Sequence, residues 1–301
     1  MKRKFDRREY LATAATAVGL SLTSAKPMSA IEPLPRTAPA RFQFSLAAYS
    51  YRNLLQSKPP KLTLFDFIDD CVAFGLQGTE LTSYYFEDPV SDEYLRRLKQ
   101  HCFRQGIDIS GTAIRCDFGV APGTKRDQEI TDVKKWIDRA EILGAPVIRI
   151  FAGHRPALQS AKRNHELIVD GINESCKYAA ERGVHLALEN HGGPTSTAEG
   201  LLAIVRDVDS AWFGVNLDTG NFHSENIYAE IAAAAPYAIN VQVKVVVSGP
   251  DNNKRPADFV RIAKILRDVN YRGYVVLEYE EDGDPRAESA AYLDKIRSAF
   301  G

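Results

Sequence analysis

Four side chains able to hold a divalent cation, Glu189, Asp218, Gln242 and Glu278, each stand at or near the end of a short apolar run in the second half of a 301-residue chain. The runs are 184–190, 212–218, 239–247 and 274–280, and the four residues are 29, 24 and 36 positions apart. One strand followed by one helix fills such an interval. In a closed parallel barrel all strands end on one face, so these distant residues meet there. Side chains alternate along a strand, which pairs Ala187 with Glu189, Asn216 with Asp218, Gln242 with Lys244 and Val276 with Glu278 on the inward face. Several carboxylates turned into a barrel are costly to bury without a cation. Three carboxylates and one amide oxygen make a hard set suited to Mn²⁺ or Mg²⁺, with Co²⁺ as a further option, and unlike the Cys and His of a structural Zn²⁺ site.

The elements that position these residues follow from the apolar pattern. Strand-length runs at 42–51, 78–82, 107–114 and 146–151 precede the four already named, and helical patterns alternate with them at 62–74, 91–105, 125–143, 158–182, 196–208, 225–235, 256–269 and 285–299. Gly75, Gly106, Gly144 and Gly183 each close a helical pattern, and Ser196-Thr197-Ala198-Glu199 has the spacing of a capping box. Eight alternations predict an α/β chain folded as a single (β/α)₈ TIM barrel over residues 41–301. An open doubly wound sheet is the alternative, but no Gly-rich turn follows the first strand.

Residues 1–30 read as an address and 31–40 as a short linker. Lys2, Arg3, Lys4, Arg7 and Arg8 precede a small-residue apolar stretch, and Asp6-Arg7-Arg8-Glu9-Tyr10-Leu11 has the form of a twin-arginine export signal. The stretch is too weak for a stable membrane span, so the expected location is periplasmic. Six of the 38 basic and two of the 39 acidic residues lie in 1–30, leaving 32 basic against 37 acidic. That balance, with no basic stripe, disfavours a nucleic-acid partner. Cys71, Cys102 and Cys176 fall in helical patterns as small buried thiols, and no CxxC occurs.

The words Leu188-Glu189-Asn190-His191-Gly192-Gly193, Asn216-Leu217-Asp218-Thr219-Gly220-Asn221, Val241-Gln242-Val243-Lys244 and Val276-Leu277-Glu278 resemble the xylose isomerase-like TIM barrels. This superfamily of sugar phosphate isomerases and epimerases includes tagatose and psicose 3-epimerases, hydroxypyruvate isomerase and endonuclease IV. The resemblance covers residues 42–300. It implies that Glu189 and Glu278 both hold the metal and exchange protons with substrate carbon through an enediolate, with Asp218 as a further ligand. Two departures stand out: Gln242 replaces the family's usual His, and Asn221 replaces a histidine found after the aspartate in several epimerases.

Six further residues are candidates for substrate contact. Glu80 ends the second strand and serves either substrate or the orientation of another side chain. Arg149 and His154 lie in and just after the fourth strand; Arg149 has a buried ion pair as its alternative role. His191, Asn221 and Lys244 follow or accompany the ligand candidates, and Lys244 pairs with substrate or with Glu278. The expected substrate is an unphosphorylated sugar or keto-sugar, since export and the lack of a phosphate-cradling loop argue against a sugar phosphate. Isomerisation or epimerisation leads; β-elimination from a 3-keto-glycoside shares the same first step. A His-rich endonuclease fits poorly with six histidines, and a non-catalytic sugar-binding barrel has no need of two opposed bases. A homo-oligomer stays open.

Overall fold

A computed structural model describes residues 32–156 and 159–301; the export-signal expectation at 1–30 lies outside the described residues. Eight parallel strands close a barrel: β1 (Arg41–Ala47), β2 (Gly78–Thr82), β3 (Asp108–Ala113), β4 (Val147–Ile150), β5 (His185–Glu189), β6 (Phe213–Asp218), β7 (Ala238–Lys244) and β10 (Arg272–Glu278). β1 pairs with both β2 and β10, so the cylinder has no edge. Among the described residues no helix is long and apolar enough to cross a membrane.

The alternation read from the sequence is what sorts the interior. Leu186, Leu188, Val215, Leu217, Val241, Val243, Val275 and Leu277 point outward and are fully buried under the helices. Their strand neighbours Ala187, Asn216, Asp218, Gln242, Lys244 and Glu278 point inward. The enclosing helices are α1 (Arg52–Leu55), α2 (Leu64–Ala73), α3 (Asp92–Gln105), α4 (Thr124–Leu143) and α5 (Ala161–Ala180), followed by α6 (Ala198–Asp207), α7 (Ile227–Ala234), α8 (Phe259–Asp268) and α9 (Pro285–Phe300). α3 shows why these segments are helical: Leu95, Leu98 and Cys102 form one buried stripe, the Ser91 hydroxyl accepts from the Tyr94 amide, and Gly106 ends the helix at φ +69°. All four cysteines are buried free thiols.

Three local features differ from the sequence reading. The run 239–247 is not one strand: β7 stops at Lys244, and β8 (Val246–Ser248) turns back through β9 (Lys254–Pro256) as an antiparallel hairpin. The turn residues Gly249, Pro250, Asp251 and Asn252 force the reversal, with Asn252 at φ +55°. The N-cap of α6 is Thr197, whose hydroxyl accepts from the Gly200 amide, so the capping box expected from Ser196 and Glu199 does not form. Residues 32–40, read as a linker, run across the N-terminal ends of the strands. There the Leu34 amide donates to the Pro236 carbonyl at 3.1 Å, and Arg36 lies over the Tyr271 ring.

Candidate active site

Two polar layers fill the upper barrel. The lower one is held together by amides. Gln242 donates through Nε2 to Glu80 Oε1 at 2.7 Å and accepts at Oε1 from Asn216 Nδ2 at 2.7 Å. Asn240 donates to Glu80 Oε2 at 3.0 Å and to Asn216 Oδ1 at 2.8 Å. This network ties β2 across the interior to β6 and β7. Burial, and then the charge of Glu278, push the Glu80 carboxyl up to about 7 against the pull of Arg149 and the amide donors. Glu80 therefore orients Gln242 and Asn240 from the floor, and it is absent from the lining of the open cavity above.

The upper layer carries charge. On β7, Lys244 Nζ lies 2.5 Å from Glu278 Oε2, 2.8 Å from Glu280 Oε1 and 3.4 Å from Asp218 Oδ2. On β4, Arg149 Nε is 2.8 Å from Glu189 Oε2. Its N–H is not aimed at that oxygen, so the contact is an ion pair without an aligned hydrogen bond. Arg149 is anchored instead by donating from Nη1 to the Ile114 carbonyl at 2.7 Å and by lying 4.0 Å over the Phe151 ring. Asn221 donates to the other Glu189 oxygen at 2.8 Å.

Electrostatics follow from burial. Desolvation opposes the charge on Lys244, but Asp218, Glu278 and Glu280 outweigh it and hold the ammonium well above the usual lysine range. Desolvation likewise opposes Arg149 and is outweighed, chiefly by Glu189. The carboxylates gain less. Burial pushes Asp218 up to about 7 despite Lys244, and burial raises Glu189 despite Arg149. Burial, aided by Arg149, lowers the His191 imidazole.

Glu189, Glu278, Arg149, His191, Asn221 and Lys244 line a cavity of about 230 Å³, together with Tyr49, Tyr84, Phe151 and Glu280. His191 stacks on Phe151 at 4.3 Å between ring centroids. His154 does not join them. Gly153, at φ +94°, carries the chain away from the mouth, and the His154 side chain is 88% exposed with its Nδ1 3.6 Å from Asp117. Glu280 and Phe151 add to the candidates drawn from the sequence, and Tyr49 and Tyr84 are aromatics that the sequence already puts near the active end. Glu280 shares strand parity with Glu278, which is a signal in the sequence; the aromatics carry none beyond their place after strand ends.

Of the four expected metal donors, Glu189, Asp218 and Glu278 stand at one end of the barrel, and Gln242 lies in the floor beneath them. Gln242 has both ends of its amide engaged in the floor, and an ammonium already stands among Asp218, Glu278 and Glu280. Among the described residues no three His, Cys, Asp or Glu side chains are arranged to hold a metal ion. The residues in place thus do not fit a divalent cation, and the chemistry below is built on Lys244 and Arg149.

A closed parallel barrel with an acid-rich polar mouth at its C-terminal strand ends defines the class of (β/α)₈ proteins that work on small molecules at that face. The chain belongs to the xylose isomerase-like TIM barrel family, whose model matches residues 68–298. It is similar to D-psicose 3-epimerase of Clostridium cellulolyticum H10, solved with D-tagatose: 18% identity, 86% of this chain and 99% of that one covered, TM-score 0.71. The E. coli 3-keto-D-glucoside 4-epimerase YcjR is 16% identical, with 86% and 100% covered and a TM-score of 0.65. The probable 3-DHS dehydratase AsbF of Bacillus anthracis is 16% identical, with 85% and 98% covered and a TM-score of 0.68. In sequence, an uncharacterized protein of Methanocaldococcus jannaschii is 24% identical over 215 residues, 64% of this chain and 71% of that protein.

Proposed function

We propose that the chain is an isomerase or epimerase of an unphosphorylated sugar or keto-sugar, moving a proton on a carbon next to a carbonyl. One observation carries this: two glutamates, Glu189 and Glu278, face one sugar-sized cavity beside two fixed cations, Arg149 and Lys244. One carboxylate takes the proton, the electron pair of the C–H bond becomes a C=C bond while the carbonyl π pair moves onto oxygen, and the other glutamate returns a proton to carbon as the carbonyl re-forms. The enediolate so formed needs positive charge at its oxygen, and Lys244 and Arg149 supply it from within the site. Tyr49, Tyr84 and Phe151 offer flat faces to a sugar ring. Similarity to two sugar epimerases supports the substrate class.

A second reading, β-elimination from a 3-keto-glycoside, is favoured by a neighbouring cavity of about 220 Å³. It lies beneath the β8–β9 hairpin, is lined by His223, Ser248, Lys254 and Glu281, and shares Asn221, Lys244, Glu278 and Glu280 with the first. A leaving aglycone fits such a second lobe. Incubation of residues 31–301 with ketoses and 3-keto-glycosides in D₂O separates the two. Deuterium at carbon with the skeleton intact supports the isomerase, release of an aglycone supports the lyase, and neither across the panel rejects both. We also read residues 1–30 as an export signal that places the mature chain in the periplasm; a periplasmic fraction retaining those residues, or lacking the protein, would refute it.

A further inference from the structure

We propose that Lys244 is the resident cation of this site, its ammonium standing where a divalent metal would be needed, so that the chain binds no metal there and works without one. The inference rests on the proton-transfer reading for its catalytic half and on geometry alone for its binding half.

Three observations carry it. The Lys244 ammonium has three N–H donors and three carboxylates around it, Glu278 at 2.5 Å, Glu280 at 2.8 Å and Asp218 at 3.4 Å, while the lysine side chain is only 8% exposed. A metal bound by Asp218 and Glu278 would have to share that space with a buried like charge. Second, the fourth donor expected from sequence is spoken for: Gln242 Oε1 accepts from Asn216, and freeing it would strand a buried amide donor and part of the Glu80 carboxylate. Third, the lysine is built in. A Cβ placed on Gly220 would meet Lys244 Cγ at 2.5 Å and Cβ at 2.7 Å, so the stem lies where only glycine leaves room. Of the three acids, Glu280 is the most exposed at 38%, against 0% for Asp218 and 7% for Glu278. A substrate oxygen displaces Glu280 and takes its place on the ammonium. In the proton transfer, the C–H electron pair forms the C=C bond and the carbonyl π pair it displaces comes to rest on an oxygen facing Lys244.

The test uses the chain as purified, dialysed against EDTA, and Mn²⁺ as the probe. The wild type is expected to leave the free Mn²⁺ paramagnetic resonance signal undiminished and to keep its solvent deuterium exchange in EDTA. Lys244→Ala is expected to lose exchange at least a hundredfold, to deplete free Mn²⁺ at one ion per chain, and to melt several degrees higher with Mn²⁺ present. Gly220→Ala, which pushes the lysine aside without removing its charge, is expected to lower exchange at least tenfold with its melting point unmoved by Mn²⁺. Stoichiometric Mn²⁺ binding by the wild type, or exchange that vanishes in EDTA and returns with Mn²⁺, overturns the proposal. Should no sugar exchange with or without metal, the proton-transfer reading fails, and the Mn²⁺ signal of wild type and Lys244→Ala still decides which cation the site holds. If Lys244→Ala does not fold, the wild-type signal and Gly220→Ala decide it.

Discussion

The two sides of the barrel mouth hold charge in different ways. On the β4–β5 side one guanidinium meets one carboxylate, and both oxygens of Glu189 are engaged, one by Arg149 and one by Asn221. On the β6, β7 and β10 side one ammonium serves three carboxylates, and Asp218 Oδ2 has no hydrogen-bond partner at all. The first side is closed in charge, one cation against one anion, though the Arg149 Nε–H is not aligned on the carboxylate. The second holds more negative charge than its lysine neutralises, and burial makes that surplus costly. A site that must accept an oxyanion and later release it benefits from such a division: one half fixes a carboxylate in place, while in the other the ammonium exchanges an internal partner for the substrate.

The largest effect should come from the loosely held side. Glu278→Gln keeps the volume and removes the base, and exchange is expected to fall about a thousandfold, read as the rate of deuterium entry. A loss of tenfold or less would transfer the proton step to Glu189 alone. The next test strikes the closed pair. Arg149→Met leaves Glu189 buried without its cation and is expected to cost about 3 kcal/mol of stability in urea unfolding. The double variant with Glu189→Gln should recover most of that cost, because the stranded charge is gone. If the single and double variants are equally unstable, Arg149 acts through its bond to Ile114 and its contact with Phe151, and the pair is not the unit described. Asn221→Ala removes one neutral donor from the same carboxylate, and a roughly tenfold fall in exchange is the expected outcome.

The fold was legible because period-two and helical patterns report burial directly, and burial is what the barrel imposes. Leu186, Leu188, Val215 and Leu217 are apolar because they lie beneath helices, whatever the site does. For the same reason inward parity placed Glu189, Asp218, Lys244 and Glu278 at one end. Which of them face each other was not legible. Gln242 meets Glu80 across 162 positions, and Lys244 chooses among three acids by rotamers that no spacing encodes. His154 leaves the mouth because the backbone turns at Gly153, and the run 239–247 reads as one strand although its last residues open a hairpin that turns at Gly249 and Pro250.

The smallest expected effect tests the surplus itself. Burial lifts Asp218 to about 7, ahead of the opposing pull of Lys244. A carboxyl whose folded value lies above its unfolded value of about 4 favours the protonated fold, so its cost is absent in acid, grows between about pH 4 and pH 7, and is complete above. Asp218→Asn preserves the bond from the Gly220 amide to the Oδ1 position and removes the charge. The variant should therefore be more stable than wild type by about 1 kcal/mol at pH 8, with the advantage gone near pH 4.5, measured as the difference in unfolding free energy. The amide nitrogen it brings beside the ammonium lowers the gain at every pH alike, so the slope and not the level is diagnostic. A gain that shrinks as pH rises would mean that Lys244 holds Asp218 charged, that the two sides of the mouth are equally well neutralised, and that no unspent negative charge distinguishes them.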